Sequence, residues 1–165
     1  MSESIDAAFE RCFNAAQGYL NLNMAHEAWK ELDMIPALYQ DNMEVLQLRI
    51  WILMRQKKWK EALRAARELC TALPNLPSPW IDVAYCLHEM KKTNEAKKSL
   101  LEGPTSLIDY PTFHYNLACY EACLGNEDSA RNYLKIAFKM QPSYRKDALH
   151  DPDLKSLWDN KNNKI

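Results

Sequence analysis

The sequence predicts an all-α solenoid of antiparallel helix pairs, and three observations carry that prediction. Counted back from Ala130 at intervals of 34 residues, the chain carries Ala96, Ala62 and Ala28, with Glu95, Glu61 and Glu27 ahead of the last three. Within residues 113–142 the apolar side chains Phe113, Leu117, Tyr120 and Leu124 recur at spacings of three and four, which marks one face of a helix. A second stripe, Ala130, Leu134, Ala137 and Phe138, follows a break at Gly125-Asn126, where glycine suits the left-handed conformation that ends a helix, and Pro142 stops it. Ala118 and Ala130 are small, as two helices joined by a tight turn require, while Leu117 and Leu134 fill the space between them.

Upstream, the first helix is predicted over residues 5–21, with Ser4 as N-cap and Ile5, Ala8, Phe9, Cys12, Ala16 and Tyr19 facing inward. Its partner, about 24–35, carries Ala28, Leu32 and Ile35 and stops at Pro36. The next pair opens with Asp41 three residues before Glu44, a capping-box-like start with Asp in place of Ser or Thr. It continues through Val45, Leu46, Ile50 and Leu53, turns at residues 56–58, and returns from Trp59 through Ala62, Leu63, Ala66 and Leu69 toward Pro74. In the third pair Ser78 is the predicted N-cap and Pro79 the first helical residue, where a missing N–H costs nothing. Trp80, Val83, Ala84 and Leu87 form its inner stripe, Thr93 caps the returning helix, and Gly103-Pro104 ends that helix about a turn early. Pro36 truncates the first copy at the same place, so longer and shorter second helices alternate. After Pro142, Asp151 reads as a cap, Pro152 as first-turn proline, and Leu154, Leu157 and Trp158 as one side of a short capping helix at about 147–160. Residues 161–165 are expected to be disordered.

The period, the paired helices and the order His114, Leu117, Ala118, Ala130, Leu134, Pro142, with Trp80, Val83, Ala84, Ala96 and Leu100 in the preceding copy, resemble the tetratricopeptide repeat. The resemblance spans roughly residues 9–142. It departs at Glu121, where the family usually has an aromatic, at Arg49, where it has Leu, and at Lys91, where it has Gly. It implies a single domain wound as a right-handed superhelix, with repeats at about 9–42, 43–76, 77–110 and 111–144. The ALxDPDLxxLW-like ending resembles tails that follow the last repeat in some bacterial members.

In that family the first helix of each pair lines a concave groove. Carried over residue by residue, the groove-facing set is Phe13, Gln17, Trp51, Met54, Arg55, Ile81, Tyr85, His88, Tyr115 and Cys119. The implied function is a non-catalytic adaptor or scaffold that holds a protein or peptide segment by apolar anchors, with His88 and Arg55 adding polar contacts. Two other readings of these positions stand beside it: the chain's own terminal segments, Trp158 included, fill part of the groove, or the rings are core. At the level of function the alternatives are a chaperone-like cradle for one apolar client and a homo-oligomeric structural subunit. Members that grip chaperone C-termini use lysines and asparagines as a carboxylate clamp. The corresponding places here hold Phe13, Gln17, Leu48, Ser78 and Asp82, so that clamp is absent.

Composition narrows the field further. A net charge of −1 and a pI near 6.4 provide no global field toward nucleic acid or membrane. Charge is nonetheless uneven: residues 49–68 hold seven basic residues against two acidic. Arg55, Lys57, Lys58, Lys60 and Arg64 therefore offer either a solvated helix face or a contact for an acidic partner. The start MSESIDAAFE lacks the pattern of a secretion signal, and no apolar run approaches the ~20 residues of a membrane span. A cytoplasmic location is expected. Cys12, Cys70, Cys86, Cys119 and Cys123 show no CxxC spacing and read as reduced thiols filling small packing positions. His26-Glu27 and His88-Glu89 begin like a zinc-protease motif, but Lys30 and Lys92 stand where the second histidine belongs. No phosphate loop or GxSxG occurs. Cys119 and Cys123, on one helix with His114, lack an evident fourth ligand, so neither metal, cofactor nor catalytic residue is assigned.

Overall fold

The computed structural model describes residues 4–159, and every regular element among them is helical; the tail at 161–165 lies outside the described residues. The chain divides into two compact units, Met1–Ala72 and Leu73–Ile165. The first holds α1 (Ile5–Asn21), α2 (Ala25–Asp33), a 3-10 turn at Ala37–Tyr39, α3 (Met43–Arg55) and α4 (Trp59–Ala72). The second holds α5 (Pro77–Glu89), α6 (Thr93–Leu101), a 3-10 segment at Thr105–Asp109, α7 (Pro111–Cys123) and α8 (Glu127–Met140). It ends in α9 (Tyr144–Ala148), a 3-10 turn at Pro152–Leu154 and α10 (Lys155–Asp159).

Each helix pair is closed by one turn geometry. Asn23, Lys57, Lys91 and Gly125, spaced 34 residues apart, all have positive φ, at 61°, 57°, 64° and 82°. The residue after each donates its N–H back across the helix end: Met24 to the Tyr19 carbonyl at 2.8 Å, and Lys58 to Leu53, Lys92 to Leu87 and Asn126 to Glu121 at 2.9 Å. This six-to-one bond of a Schellman turn satisfies carbonyls that the helix end would orphan, and it sends the chain back antiparallel. Just beyond it Ala28, Ala62, Ala96 and Ala130 are fully buried. Any larger side chain there would force the helices apart.

The apolar stripes close the two cores separately. In the first unit Cys12, Ala16, Leu20, Ala28, Leu32, Ile35, Val45, Leu48 and Ile52 form one cluster, edged by Phe9, Phe13, Tyr19, Trp29 and Tyr39. In the second, Leu87, Leu100, Leu107, Leu117, Leu134, Leu154 and Leu157 are buried. The alternation of second helices is present: α2 and α6 have 9 residues, α4 and α8 have 14. After α6 the chain folds so tightly that a Cβ on Gly103 would stand 2.4 Å from Leu107 Cδ1 and 3.2 Å from the Trp80 ring.

Several boundaries differ from the sequence reading. Ile5 is 59% exposed because it occupies the first turn of α1, and Leu20 extends the buried stripe at the other end instead. Asn42 caps α3, its Oδ1 accepting from the Glu44 N–H at 2.7 Å, because Asp41 still belongs to the turn closed by the Asn42 N–H to Tyr39 carbonyl bond. Leu76 is the N-cap of α5, which places Pro77 at its first position and Ser78 and Pro79 inside the first turn; prolines fit there because those N–H groups have no helical partner. Thr93 opens α6 without capping it, and its hydroxyl meets His88 Nδ1 at 3.0 Å. In place of one helix at about 147–160, the 3-10 turn at Pro152–Leu154 runs directly into α10, with the separate short α9 ahead of them.

The departures from the repeat pattern have local compensation. Arg49 donates from Nη2 to Gln40 Oε1 at 2.6 Å, and Gln40 Nε2 donates to the Ile35 carbonyl at 2.7 Å, which anchors the loop after α2. Glu121 is buried on α7, paired with Lys97 of α6 at 2.8 Å and accepting from Asn126 Nδ2 at 2.7 Å. Burial pushes its carboxyl up, but the hydrogen bonds from Lys97 and Asn126 and the Lys97 charge prevail and hold it below the usual range.

Two outcomes follow. A non-glycine left-handed residue costs roughly 1–2 kcal/mol, part of which glycine returns as chain entropy. Lys57→Gly and Lys91→Gly are therefore expected to raise stability by ~0.5–1 kcal/mol each in urea unfolding, and Gly125→Ala to lower it by a similar amount. A carboxylate held low in the folded state contributes stability that is present above its unfolded value and lost as pH falls through the folded one. The wild type should accordingly lose stability as pH falls from the ordinary carboxylate range through the lowered value of Glu121, and Glu121→Gln should flatten that part of the stability–pH curve.

Candidate functional site

The predicted site residues sit on α1, α3, α5 and α7, and each unit treats its share differently. In the first unit Phe13 is half-buried, its ring stacked on Phe9 at 5.6 Å, and so belongs partly to the core. Gln17 and Arg55 are exposed and Met54 is half-buried. Trp51 stands out at 41% exposed, in a helix whose neighbouring Ile50 and Ile52 are fully buried. In the second unit Ile81 is half-buried and Tyr85 is 37% exposed.

His88, Tyr115 and Cys119 are brought together by a segment that is remote in sequence. Beyond α8, the Tyr144 hydroxyl lies 2.9 Å from Thr112 Oγ1 and its ring 4.9 Å from that of Tyr115. The chain then passes over the same face of α7 with Asp151 and Asp153. Tyr115 donates its hydroxyl to Asp151 Oδ2 at 2.8 Å, and the Cys119 thiol reaches the same oxygen at 3.7 Å. His88 Nε2 meets Asp153 Oδ2 at 2.9 Å, and the Cys123 thiol lies 3.8 Å from the Asp153 carbonyl. Asp151 Oδ1 also accepts from the Asp153 N–H at 3.0 Å, so one carboxylate both caps the 3-10 turn and ties it to α7. Leu154 and Leu157 are fully buried beneath it. Arg131 Nη2 donates to the Leu157 carbonyl at 2.7 Å and Trp158 Nε1 to the Ala148 carbonyl at 2.9 Å. Trp158 thus secures the terminal segment to itself, while Asp151 and Asp153 make the polar contacts to the predicted site residues.

The electrostatics follow from this packing. The hydrogen bond with His88 holds the Asp153 carboxyl below its ordinary value, against the opposing effect of burial. Burial, then the hydrogen bond and charge of Asp151, raise the Tyr115 hydroxyl. Burial and the nearby carboxylates raise the Cys119 thiol strongly and push Cys123 up to about 11. Both thiols are consequently protonated near neutral pH, and a thiol that is not a thiolate is a poor nucleophile.

The basic surface of the first unit lies elsewhere. Lys58 and Arg64 line an open cavity of about 610 Å³ with Leu46, Ile50, Leu53 and Leu69. Lys58 Nζ sits 5.9 Å over the Trp29 ring, Arg64 is 4.0 Å from Glu68, and Asp41 and Glu61 share the lining. The charges in this cavity are therefore mixed.

What sequence reasoning missed is the part played by Asp153 and the partner of the two cysteines. His114, which shares their helix, is turned to the Ile108 carbonyl at 2.8 Å; the histidine beside Cys123 is His88, from α5. The signal available was the Asp-Pro-Asp run, in which one Asp is needed for the cap and the other is left over. Among the described residues no helix is long and apolar enough to cross a membrane.

No family model and no curated protein matches this sequence. Solved structures do match its fold. MamA RS-1, as the ArsTM double mutant, aligns with a TM-score of 0.66 and 13% identity over 86% of this chain and 79% of that one. MamA AMB-1 aligns with a TM-score of 0.60 and 16% identity over 84% and 79% respectively. The fold is an all-α solenoid of antiparallel helix pairs of the tetratricopeptide-like kind.

The Tyr115–Asp151 bond has a direct energetic signature. Tyr115→Phe is expected to cost about 1 kcal/mol and Asp151→Ala about 1–2 kcal/mol, since the latter also removes a cap. The double variant should cost less than the sum by at least ~0.5 kcal/mol in a denaturation cycle; strict additivity would mean the bond is not formed.

Proposed function

We propose that the chain is a non-catalytic protein-interaction module, one domain of four 34-residue repeats at about 9–42, 43–76, 77–110 and 111–144. Its first-helix faces bind a partner segment that pairs an apolar side chain with a carboxylate. The observation that carries this reading is the exposure of Trp51 and Tyr85, at 41% and 37%, on helices whose other large apolar side chains are mostly buried. Single exposed aliphatic residues are ordinary, whereas an exposed aromatic ring among buried neighbours, one on α3 and one on α5, is in each unit well suited to anchor a ligand. In the second unit Ile81 lies one turn before Tyr85, and in the first Met54 and Arg55 adjoin Trp51. Phe13 and Gln17 carry the first unit's surface onto α1.

The chemistry of the partner is argued from the segment that already lies on α7. There His88, Tyr115 and Cys119 meet an Asp-Pro-Asp-Leu run, in which two carboxylates supply the polar contacts and a leucine the apolar one. A ligand of the same kind placed beside Trp51 would find Arg55 as its cation. Burying a Trp and a Tyr ring supplies several kcal/mol at ~25 cal/mol per Å² before ordering costs are subtracted. The raised thiols of Cys119 and Cys123, which are poor nucleophiles while protonated, support a non-catalytic role.

Panning a displayed peptide library on the intact chain is expected to enrich peptides that combine an aromatic or aliphatic residue with Asp or Glu. Trp51→Ala should weaken the enriched peptide by roughly 10-fold or more, and Tyr85→Ala should add to the loss, with thermal unfolding nearly unchanged. Undiminished binding by the double variant, or a collapse of its stability, would contradict this reading.

A further inference from the structure

The side chains gathered where the terminal segment crosses α7 are of the kinds that ligate metal ions. His88 Nε2, Cys123 Sγ and a carboxylate oxygen of Asp153 all lie within 4.8 Å of one another. So do Cys119 Sγ and carboxylate oxygens of Asp151 and Asp153, and the two groups share Asp153. A tetrahedral zinc ion, with bonds of ~2.0–2.3 Å, holds its ligand atoms roughly 3.3–3.8 Å apart, so small side-chain adjustments bring either set to bonding distance. The residues come from α5, α7 and the Asp-Pro-Asp turn, three elements far apart in the chain.

We propose that His88, Cys123 and Asp153 bind a thiophilic divalent cation of the zinc type, with Cys119 and Asp151 at the adjoining corner, and that the bound ion clasps the C-terminal segment to α7.

Four features support this beyond proximity. First, the donor set of imidazole, thiols and carboxylates suits zinc better than calcium or magnesium, which take oxygen alone. Second, the far side of His88 is fixed: its Nδ1 lies 3.0 Å from Thr93 Oγ1, the outer hydrogen bond that orients a metal-binding imidazole and leaves Nε2 for the ion. Asp151 is oriented likewise by the Tyr115 hydroxyl and the Asp153 N–H. Third, Cys123 is exposed whereas Cys119 is buried, which opens the cluster to solvent on one side and closes it on the other. Fourth, the Tyr120 hydroxyl is buried against this cluster, its ring 4.9 Å from that of His88, and has no hydrogen-bond partner among the described residues. A water on the fourth position of the ion would be its natural partner.

Binding needs no redox step. Cys123 gives its thiol proton to solvent as its sulfur bonds the ion, and the ion replaces any proton shared between His88 Nε2 and Asp153. The inference stands apart from the peptide-binding reading: it concerns the terminal segment and does not involve Trp51.

The test uses the untagged full chain, reduced with a phosphine, stripped with chelator and titrated with Co²⁺ and then Zn²⁺. The expected result is saturation at one ion per chain, with the near-ultraviolet thiolate-to-cobalt absorption and the visible bands of a tetrahedral site, both erased by Zn²⁺. Saturating Zn²⁺ should also raise the melting temperature by several degrees, since the ion binds only the folded arrangement. Cys123→Ser, chosen because this thiol is exposed and its loss should spare the fold, should remove most of the thiolate absorption and weaken binding at least 10-fold. Asp153→Asn should weaken it as well, with circular dichroism verifying the helices of both variants. The proposal is overturned if the wild type shows no saturable binding, or if cobalt spectra and affinity are unchanged in Cys123→Ser and Asp153→Asn.

Discussion

The helix pairs depend on one backbone constraint, a left-handed residue held between two helix ends by a bond that reaches back five residues. Because that turn is tight, the helices it joins must approach closely, and a fully buried alanine stands just beyond each turn, at Ala28, Ala62, Ala96 and Ala130. Only Gly125 takes the left-handed conformation without steric cost; Asn23, Lys57 and Lys91 tolerate it, which shows that turn geometry outweighs local preference once the flanking stripes are buried. Packing of the pairs then leaves each first helix with a second face that its own partner does not cover.

The two units use that face differently. On α3, Trp51 and Arg55 remain open. On α5 and α7, His88, Tyr115 and Cys119 contact the chain itself, through two carboxylates projected by a proline-containing turn, with Leu154 and Leu157 of the same segment buried. The cost of burying this polar cluster is offset by its mutual satisfaction: Tyr115 donates to Asp151, His88 pairs with Asp153, and Asp151 accepts a backbone N–H as well. A half-satisfied version would be worse than an apolar one. The segment is therefore more than a lid over an exposed hydrophobic end, because it has side-chain partners specific to that surface.

Much of this was legible in the sequence, and the limits have physical causes. Apolar spacing and the 34-residue alanine recurrence located the helices because both are local consequences of the same packing. The bounds of α1 and α8 follow directly from Ser4, Gly125 and the stripes between them. Cap identity was harder where two candidates adjoin: Asp41 and Asn42 are both good caps, and only the preceding turn decides between them. The site was partly legible. Periodicity could place His88, Tyr115 and Cys119 on one kind of face, but the burial of His88 and Cys119 depends on residues 30 or more positions away, whose docking no spacing rule encodes. For the same reason Cys119 and Cys123 read as incomplete beside His114, when the histidine that approaches Cys123 comes from α5.

The docking of residues 151–158 on α7 is the claim on which both the occupied face and its proposed ion rest, and amide hydrogen exchange on the intact chain measures it most directly. Peptides spanning Asp153 to Trp158 are expected to exchange slowly, on the timescale of α7 and α8, in keeping with buried Leu154 and Leu157. Exchange of that segment at the rate of an unstructured chain, while α7 and α8 stay protected, would contradict it.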